Sequence, residues 1–300
     1  MTMIRIMSME NIGFHRFKVL VINTIFNEFR NKSVIFFSIF TLLVIYADHA
    51  LINFIEGNLP GMAPSDTLVD MKMKAFYWII SSWNGLMAII LGINTVKADL
   101  NMQIMPQLFA WPIKRMEYLF ARIVGSWIVI VGYYIISIIL AYIVFKFFGT
   151  GASIGASIGA AASAGGGMLS LFSSIIVSVL LSSLMILTVI TIAVFFSLYL
   201  SKVWGLIVSI LAIGFIGQAN SYFSMVPFSE ITDKLDGIFS IIKLLLHYLI
   251  PRVGVLSNMA VQVFMGATMD RNIFFELLHF VASYALLFYF LLFVFKRREL

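Results

Sequence analysis

Six stretches of this chain are apolar and long enough to cross a lipid bilayer, and a water-soluble fold has no place to put that many. A span needs about 20 mostly apolar residues to cover roughly 30 Å of hydrocarbon, at about 1.5 Å per helical residue. The qualifying runs are 33–54, 75–96, 118–148, 168–200, 203–223 and 273–295. The third and fourth exceed what a bilayer requires, so they are expected to tilt or project beyond it. The chain is 61% hydrophobic and 11% charged, against the roughly 25% charged residues of a soluble domain. The expected fold is an all-α membrane protein. Residues 1–32 are read as a cytoplasmic N-terminal segment and 33–300 as the six-span domain.

Orientation follows from Lys and Arg, which concentrate in the cytoplasmic connections of membrane proteins. With the N-terminus inside, the inner pieces hold Arg5, Arg16, Lys18, Arg30 and Lys32, then Lys97, Lys114, Arg115 and Arg122, then Lys202, and finally Lys296, Arg297 and Arg298. These are 13 of the 20 basic residues, so both termini are read as cytoplasmic; the expected location is the plasma (inner) membrane, as a multi-pass protein. The net charge of +6 sits at the ends of apolar runs and forms no stripe, so nucleic acid is not an expected partner. Membrane lipid is. Cysteine is absent, which excludes a disulfide framework, a thiolate zinc site and a cysteine nucleophile. The first apolar run lacks a small-residue cleavage site and is interrupted by Asp48 and His49, so it reads as a retained span.

Two segments read as helices lying along the membrane surface. Before the first span, Val19, Val21, Ile22, Ile25, Phe26 and Phe29 fall on one side of a helix and Asn23, Thr24, Asn27, Glu28, Arg30 and Asn31 on the other. This is the pattern of an amphipathic elbow half-sunk in the inner leaflet, with Arg30 and Lys32 reaching lipid phosphates. Before the last span, 238–269 is apolar but broken by Lys243, His247, Pro251 and Arg252, which predicts small helices at the outer interface. Between the third and fourth spans, Gly149–Gly167 is a low-complexity tract with Gly-x-Ser-x-Gly twice. A nucleophile elbow needs that motif between a strand and a helix, so its repetition between two membrane helices does not make a hydrolase.

The most informative stretch is the inner loop between the second and third spans. It runs from Lys97 to Arg122, carries Pro106 and Pro112, and mixes charge with Leu108, Phe109 and Trp111. An ordinary inner connection is short and polar, like Ser201-Lys202, so this loop suggests a docking surface for a cytoplasmic partner. Pro112 can end one short helix and Lys114–Glu117 open the next. Here the chain resembles the ATP-binding-cassette (ABC) type-2 permeases. Their loop commonly runs from an acidic residue through Gly-Thr and a Leu pair to Pro-Ile-x-Arg and Tyr-Leu. Asp99, Leu108-Phe109, Pro112-Ile113-Lys114-Arg115 and Tyr118-Leu119 stand at those positions, and Gln103-Ile104 replaces Gly-Thr. Leu249-Ile250-Pro251-Arg252 is similar to the permeases grouped with multi-copper enzyme maturation.

The resemblance implies six spans, an elbow, and an inner loop driven by a separate ATPase, with Asp99, Leu108, Phe109, Pro112 and Arg115 as the coupling residues. It implies an exporter in which two permease chains pair, a homodimer being the expected arrangement. This chain has no Gly-x-x-x-x-Gly-Lys-Ser/Thr, so ATP and Mg are expected on the partner ATPase and no cofactor or enzymatic site on the chain itself. The alternative is an ATP-independent channel or secondary transporter, although neither internal repeats nor charged broken helices stand out.

Four polar residues within the apolar runs are candidates for a translocation path: Asp48, His49, Asn84 and Glu276. Asp48 and His49 equally fit an interfacial pair at a span end, and Asn84 an inter-helix hydrogen bond. Glu276 with His279, at i and i+3, also fits the outer surface. Tyr118 is read as facing the membrane. The 17 methionines read as apolar filler, so no metal site is expected.

Overall fold

The computed structural model describes residues 2–30, 32–58, 65–101, 113–147, 168–224, 237–264 and 272–297. Among them all regular structure is helical. The helices are α1 (Thr2–Arg30), α2 (Lys32–Asn58), α3 (Ser65–Asn101), α4 (Arg115–Phe147), α5 (Met168–Tyr199), α6 (Lys202–Ser224), α7 (Ile238–Leu249), α8 (Val253–Phe264) and α9 (Ile273–Arg297). Leu108, Phe109, Pro112 and the Gly149–Gly167 tract lie outside the described residues.

Five segments are long and apolar enough to cross a membrane: Lys74–Asn101, Arg115–Ala141, Ser173–Tyr199, Lys202–Asn220 and Ile273–Arg297. Each matches one of the six runs expected from sequence. The remaining run falls in α2, where the apolar stretch of described side chains is the shorter Phe36–Leu51. Large apolar side chains point outward along the helices, among them Tyr46, Ile139, Leu211, Val281 and Tyr289. An apolar exterior on this scale is stable in lipid and not in water. The chain is a multi-pass membrane protein.

The core is built on α3, α4 and α5. Contacts pair Thr95 with Ser126 and Ser81 with Tyr134, so α3 and α4 run antiparallel. Tyr77 meets Ser182 and Lys97 meets Leu200, so α3 and α5 run parallel. Close approach of α3 to α5 depends on Gly92, where a β-carbon would lie 3.1 Å from both Ala193 Cβ and the Ile190 carbonyl. Buried Met87, Leu91, Ile123, Ile130, Ile186 and Ile190 fill the space between the three helices.

Helix ends follow local chemistry. Asn272 caps α9 by accepting from Phe274 N at 3.0 Å, with Glu276 in the first turn and Lys296 and Arg297 in the last. Pro251 stops α7, because the residue before a proline is pushed out of helical geometry. Gly237, with φ +96°, opens that helix in a conformation other residues avoid. At 12 residues each, α7 and α8 are too short to span.

The surface-helix expectation divides between those two. In α7, Ile238, Phe239, Leu245 and Leu249 are exposed, as on an interfacial helix. α8 is instead embedded: Val255, Leu256, Met259, Ala260 and Val261 are buried, and Ser178 Oγ donates to Ala260 O at 2.8 Å. Asn258 is its only exposed residue and Gln262 is partly exposed, a polar stripe too narrow to keep the helix at the surface.

Candidate functional site

The ends of α3 and α5 and the starts of α4 and α6 gather at one end of the bundle, here the basal end. The contact between Arg115 and Lys296 O at 3.0 Å brings the end of α9 there too. Lys97, Lys114, Arg115, Arg122, Lys202, Lys296 and Arg297 therefore share one end of the molecule. α4 opens at Arg115, within the Lys114–Glu117 stretch expected from sequence, with Tyr118 N donating to Lys114 O at 3.1 Å.

At this end three polar stripes, each at helical spacing, meet away from solvent: Thr24 and Glu28 on α1, Thr95 and Asp99 on α3, and Tyr118, Arg122 and Ser126 on α4. Arg122 forms a buried ion pair with Asp99 and donates from its other terminal nitrogen to Thr24 Oγ1 at 3.1 Å. Tyr118 donates to the same Asp99 carboxylate at 2.5 Å, and the Arg122 guanidinium lies 5.5 Å from the centre of the Tyr118 ring. One carboxylate thus holds two residues of α4, and one guanidinium ties α3 and α4 to α1.

Thr95 Oγ1 lies 2.6 Å from Leu91 O, 2.6 Å from Ser126 Oγ and 3.2 Å from Glu28 Oε1. A threonine hydroxyl has one proton to give. With that proton on Leu91 O and Ser126 donating to Thr95, the Glu28 contact is satisfied when Glu28 itself carries a proton. Burial pushes the Glu28 carboxyl up to about 7, against the lowering effects of the Thr95 hydrogen bond and the Arg122 charge. Glu28 Oε2 has no hydrogen-bond partner among the described residues, a further cost of ionising there.

The site corrects two expectations. Tyr118 faces the protein interior and not the membrane: it is 0% exposed and stacks with Phe295 at 6.3 Å between ring centres. The elbow does not divide into the expected apolar and polar sides: Thr24 and Glu28 turn inward together with Val21 and the half-buried Ile25, while Val19, Ile22, Phe26 and Phe29 are exposed alongside Asn23, Asn27 and Arg30. Buried hydrogen bonds to α3 and α4 outweigh solvation of Thr24 and Glu28. At the crossing, a β-carbon on Gly125 would lie 2.6 Å from Thr24 Cβ, so glycine sets how closely α1 seats on α4.

Of the coupling residues, Asp99 is buried and faces Arg122 and Tyr118, not outward, and Arg115 is partly exposed at the mouth of the same end. The four path candidates are scattered. Asp48 on α2 is 0% exposed, and neither carboxylate oxygen has a hydrogen-bond partner among the described residues. His49 beside it is partly buried. Asn84 on α3 donates to Ile80 O at 2.8 Å within its own helix, and its carbonyl oxygen has no hydrogen-bond partner among the described residues. Glu276 accepts from Arg252 at 3.4 Å, fastening α9 to the residues before α8. Neither Asp48 nor Asn84 bonds to the other or to Glu276.

Sequence reasoning overlooked Glu28, Thr95, Arg122 and Ser126. The signal was the i, i+4 recurrence of polar residues on α1, α3 and α4. It also overlooked a second buried group in mid-bundle, where Tyr77 meets Ser182 and Ser81 meets Tyr134 at 3.1 Å. No group of three or more His, Cys, Asp or Glu among the described residues could hold a metal ion. No protein-family model, curated protein or solved structure matches the chain.

Proposed function

We propose that this chain is the membrane-spanning subunit of an ABC exporter of the type-2 permease kind, driven by a separate ATPase and paired with a second copy of itself. In this reading α2 is the sixth crossing, α1 the elbow, and the basal end faces the cytoplasm of a plasma (inner) membrane. ATP and Mg belong to the partner, and the loop 102–112 with Arg115 receives its push.

The observation that carries the reading is the latch at Asp99. Asp99 stands two residues before the end of α3 and Tyr118 three residues after the start of α4, and their 2.5 Å hydrogen bond closes the two stems of that loop. The Arg122 link to Thr24 extends the closure to α1. A force applied to such a loop moves three helices as a unit and is not dissipated in a hinge. Asp99 and Arg122 are then positioning residues, and partner contact falls to Leu108, Phe109, Pro112 and Arg115.

The test is purification of the tagged chain from its own membrane after photo-crosslinking from position 109. A crosslinked subunit bearing a nucleotide-binding motif, in a complex that hydrolyses ATP, is the expected result. Transport by the purified chain alone without ATP would refute the proposal in favour of a channel or secondary transporter.

A further inference from the structure

We propose that the groove between α3 and α6 at the basal end is a binding site for an anionic phospholipid, with its acyl chain along the groove and its phosphate at Lys202. This inference depends on membrane residence alone and not on the proposed transport role.

The groove has a volume of about 260 Å³ and is lined by Ile90, Ile93, Asn94, Lys202, Val203 and Leu206. That is far more than the ~30 Å³ of one water, and four of the six lining residues are aliphatic, so hydrocarbon fills it better than water. Polarity is confined to the basal edge. Lys202 is the first residue of α6, is exposed, and forms no ion pair or hydrogen bond among the described residues. One turn below Asn94, Lys97 donates to Leu200 O at 3.0 Å, which brings a second ammonium to the same turn. The first turn of α6 adds its unpaired N–H groups, the positive end of a helix.

Among the described residues no carboxylate pairs with Lys202. α6 contains no acidic residue, and the nearest acid along α3, Asp99, is turned inward to Arg122. An apolar slot one or two turns deep with a free cation at its rim matches the order of groups in a phospholipid, and anionic headgroups are drawn to basic residues at this depth. The larger groove of about 420 Å³ between α2 and α3 has Val44, Trp78, Ile79, Ser82, Trp83 and Leu86 around it and no charged residue. It offers nothing to select a headgroup.

Native mass spectrometry of the full chain, titrated with phosphatidylglycerol or phosphatidylcholine of identical acyl chains, tests the proposal. The wild type is expected to retain one phosphatidylglycerol in preference to phosphatidylcholine. Lys202→Ala should weaken phosphatidylglycerol about fivefold, the effect of one basic contact at a membrane surface, and leave phosphatidylcholine unchanged. Lys114→Ala, at another exposed lysine of the basal end, should change neither. Leu206→Trp fills the groove and should weaken both lipids, whereas Leu211→Trp on the outer face of α6 should not. Unaltered phosphatidylglycerol binding in Lys202→Ala or Leu206→Trp overturns the site. So does competition by inorganic phosphate as effective as by lipid. A shift in oligomeric state in Leu206→Trp without loss of lipid would make the groove a contact between copies of the chain and also overturn it.

Discussion

Replacing Asp99 with alanine strips Arg122 of its buried counter-charge and Tyr118 of its acceptor in one step. Breaking a buried ion pair costs about 3–5 kcal/mol, because the remaining charge stays desolvated, and the lost Tyr118 hydrogen bond adds about 0.5–1.5 kcal/mol. Glu28 opposes this loss. Its carboxyl lies within electrostatic reach of both Arg122 and Asp99, and burial with the Asp99 charge favours its protonated form. With Asp99 gone that repulsion vanishes, and Glu28 ionises as the remaining partner of Arg122. The expected net cost of Asp99→Ala is therefore about 3–5 kcal/mol, not the sum of both terms. The sharper prediction concerns coupling. At pH 6 Glu28→Gln alone should cost under about 1 kcal/mol, since it replaces a largely neutral group with another. In the Asp99→Ala background the same change should cost about 1–3 kcal/mol more, because it removes the last carboxylate beside Arg122. Equilibrium unfolding of the four proteins in mixed micelles, titrated with a denaturing detergent, measures the cycle. If Glu28→Gln costs the same in both backgrounds, the electrostatic account of the latch is wrong.

Three further outcomes follow from the same geometry. A carboxyl held at about 7 when α1 is seated, against its ordinary 4.5 when detached, contributes stability that is full below about pH 4.5 and lost as the pH rises through about 7. Unfolding free energy should accordingly fall between pH 6 and pH 8 in the wild type, and less steeply in Glu28→Gln. Gly125→Ala would set a rigid methyl 2.6 Å from Thr24 Cβ and should cost about 1–3 kcal/mol by lifting α1 from α4. Because the chain has no cysteine, thiol labelling of Val21→Cys reports this directly, with faster labelling expected in the Gly125→Ala background. Arg252→Ala removes the Arg252–Glu276 ion pair and should lower the unfolding temperature by less than Asp99→Ala, since that contact is longer, at 3.4 Å, and less enclosed on the arginine side.

The helices were legible because hydrophobic length is a one-dimensional signal. The run 203–223 became Lys202–Ser224 and 273–295 became Ile273–Arg297 with almost no change of boundary. Facing is not one-dimensional. On α1 the inward stripe is Val21, Thr24, Ile25 and Glu28, which cuts across the expected apolar and polar sides, because which residues meet protein depends on what α3 and α4 offer in return. Thr95 and Arg122 supply the hydrogen-bond partners that let Glu28 and Thr24 turn inward there. Tyr118 was misplaced for the same reason: an aromatic hydroxyl near a span end suits the lipid interface unless a buried carboxylate accepts it. Asp99 stood out in the sequence as an acid in a loop motif, yet its partner Arg122, 23 residues on, was counted only as a positive charge.

A loop that transmits force needs its two stems to move together, and this makes the burial of Asp99 a matter of mechanism under the proposed function. Two helices joined only by a flexible connection separate when that connection is pushed. At the basal end the separation of α3 from α4 would require breaking the ion pair of Asp99 with Arg122 and its hydrogen bond to Tyr118, in a site closed to water. Separation of α1 would require giving up the Arg122 contact to Thr24 and the close seat at Gly125. Each costs more than a helix tilt in lipid, where apolar faces such as that of Val19, Ile22, Phe26 and Phe29 slide against similar surroundings. A push on the loop therefore turns α1, α3 and α4 as a body against lipid before it opens the joint between them. Spin labels on α1 and α4 at the basal end should keep a fixed separation through an ATP cycle in the assembled complex, while either one changes its distance to α9. A change in the α1–α4 distance, with α9 stationary, would place the hinge inside the latch and rule out its role as a rigid coupler.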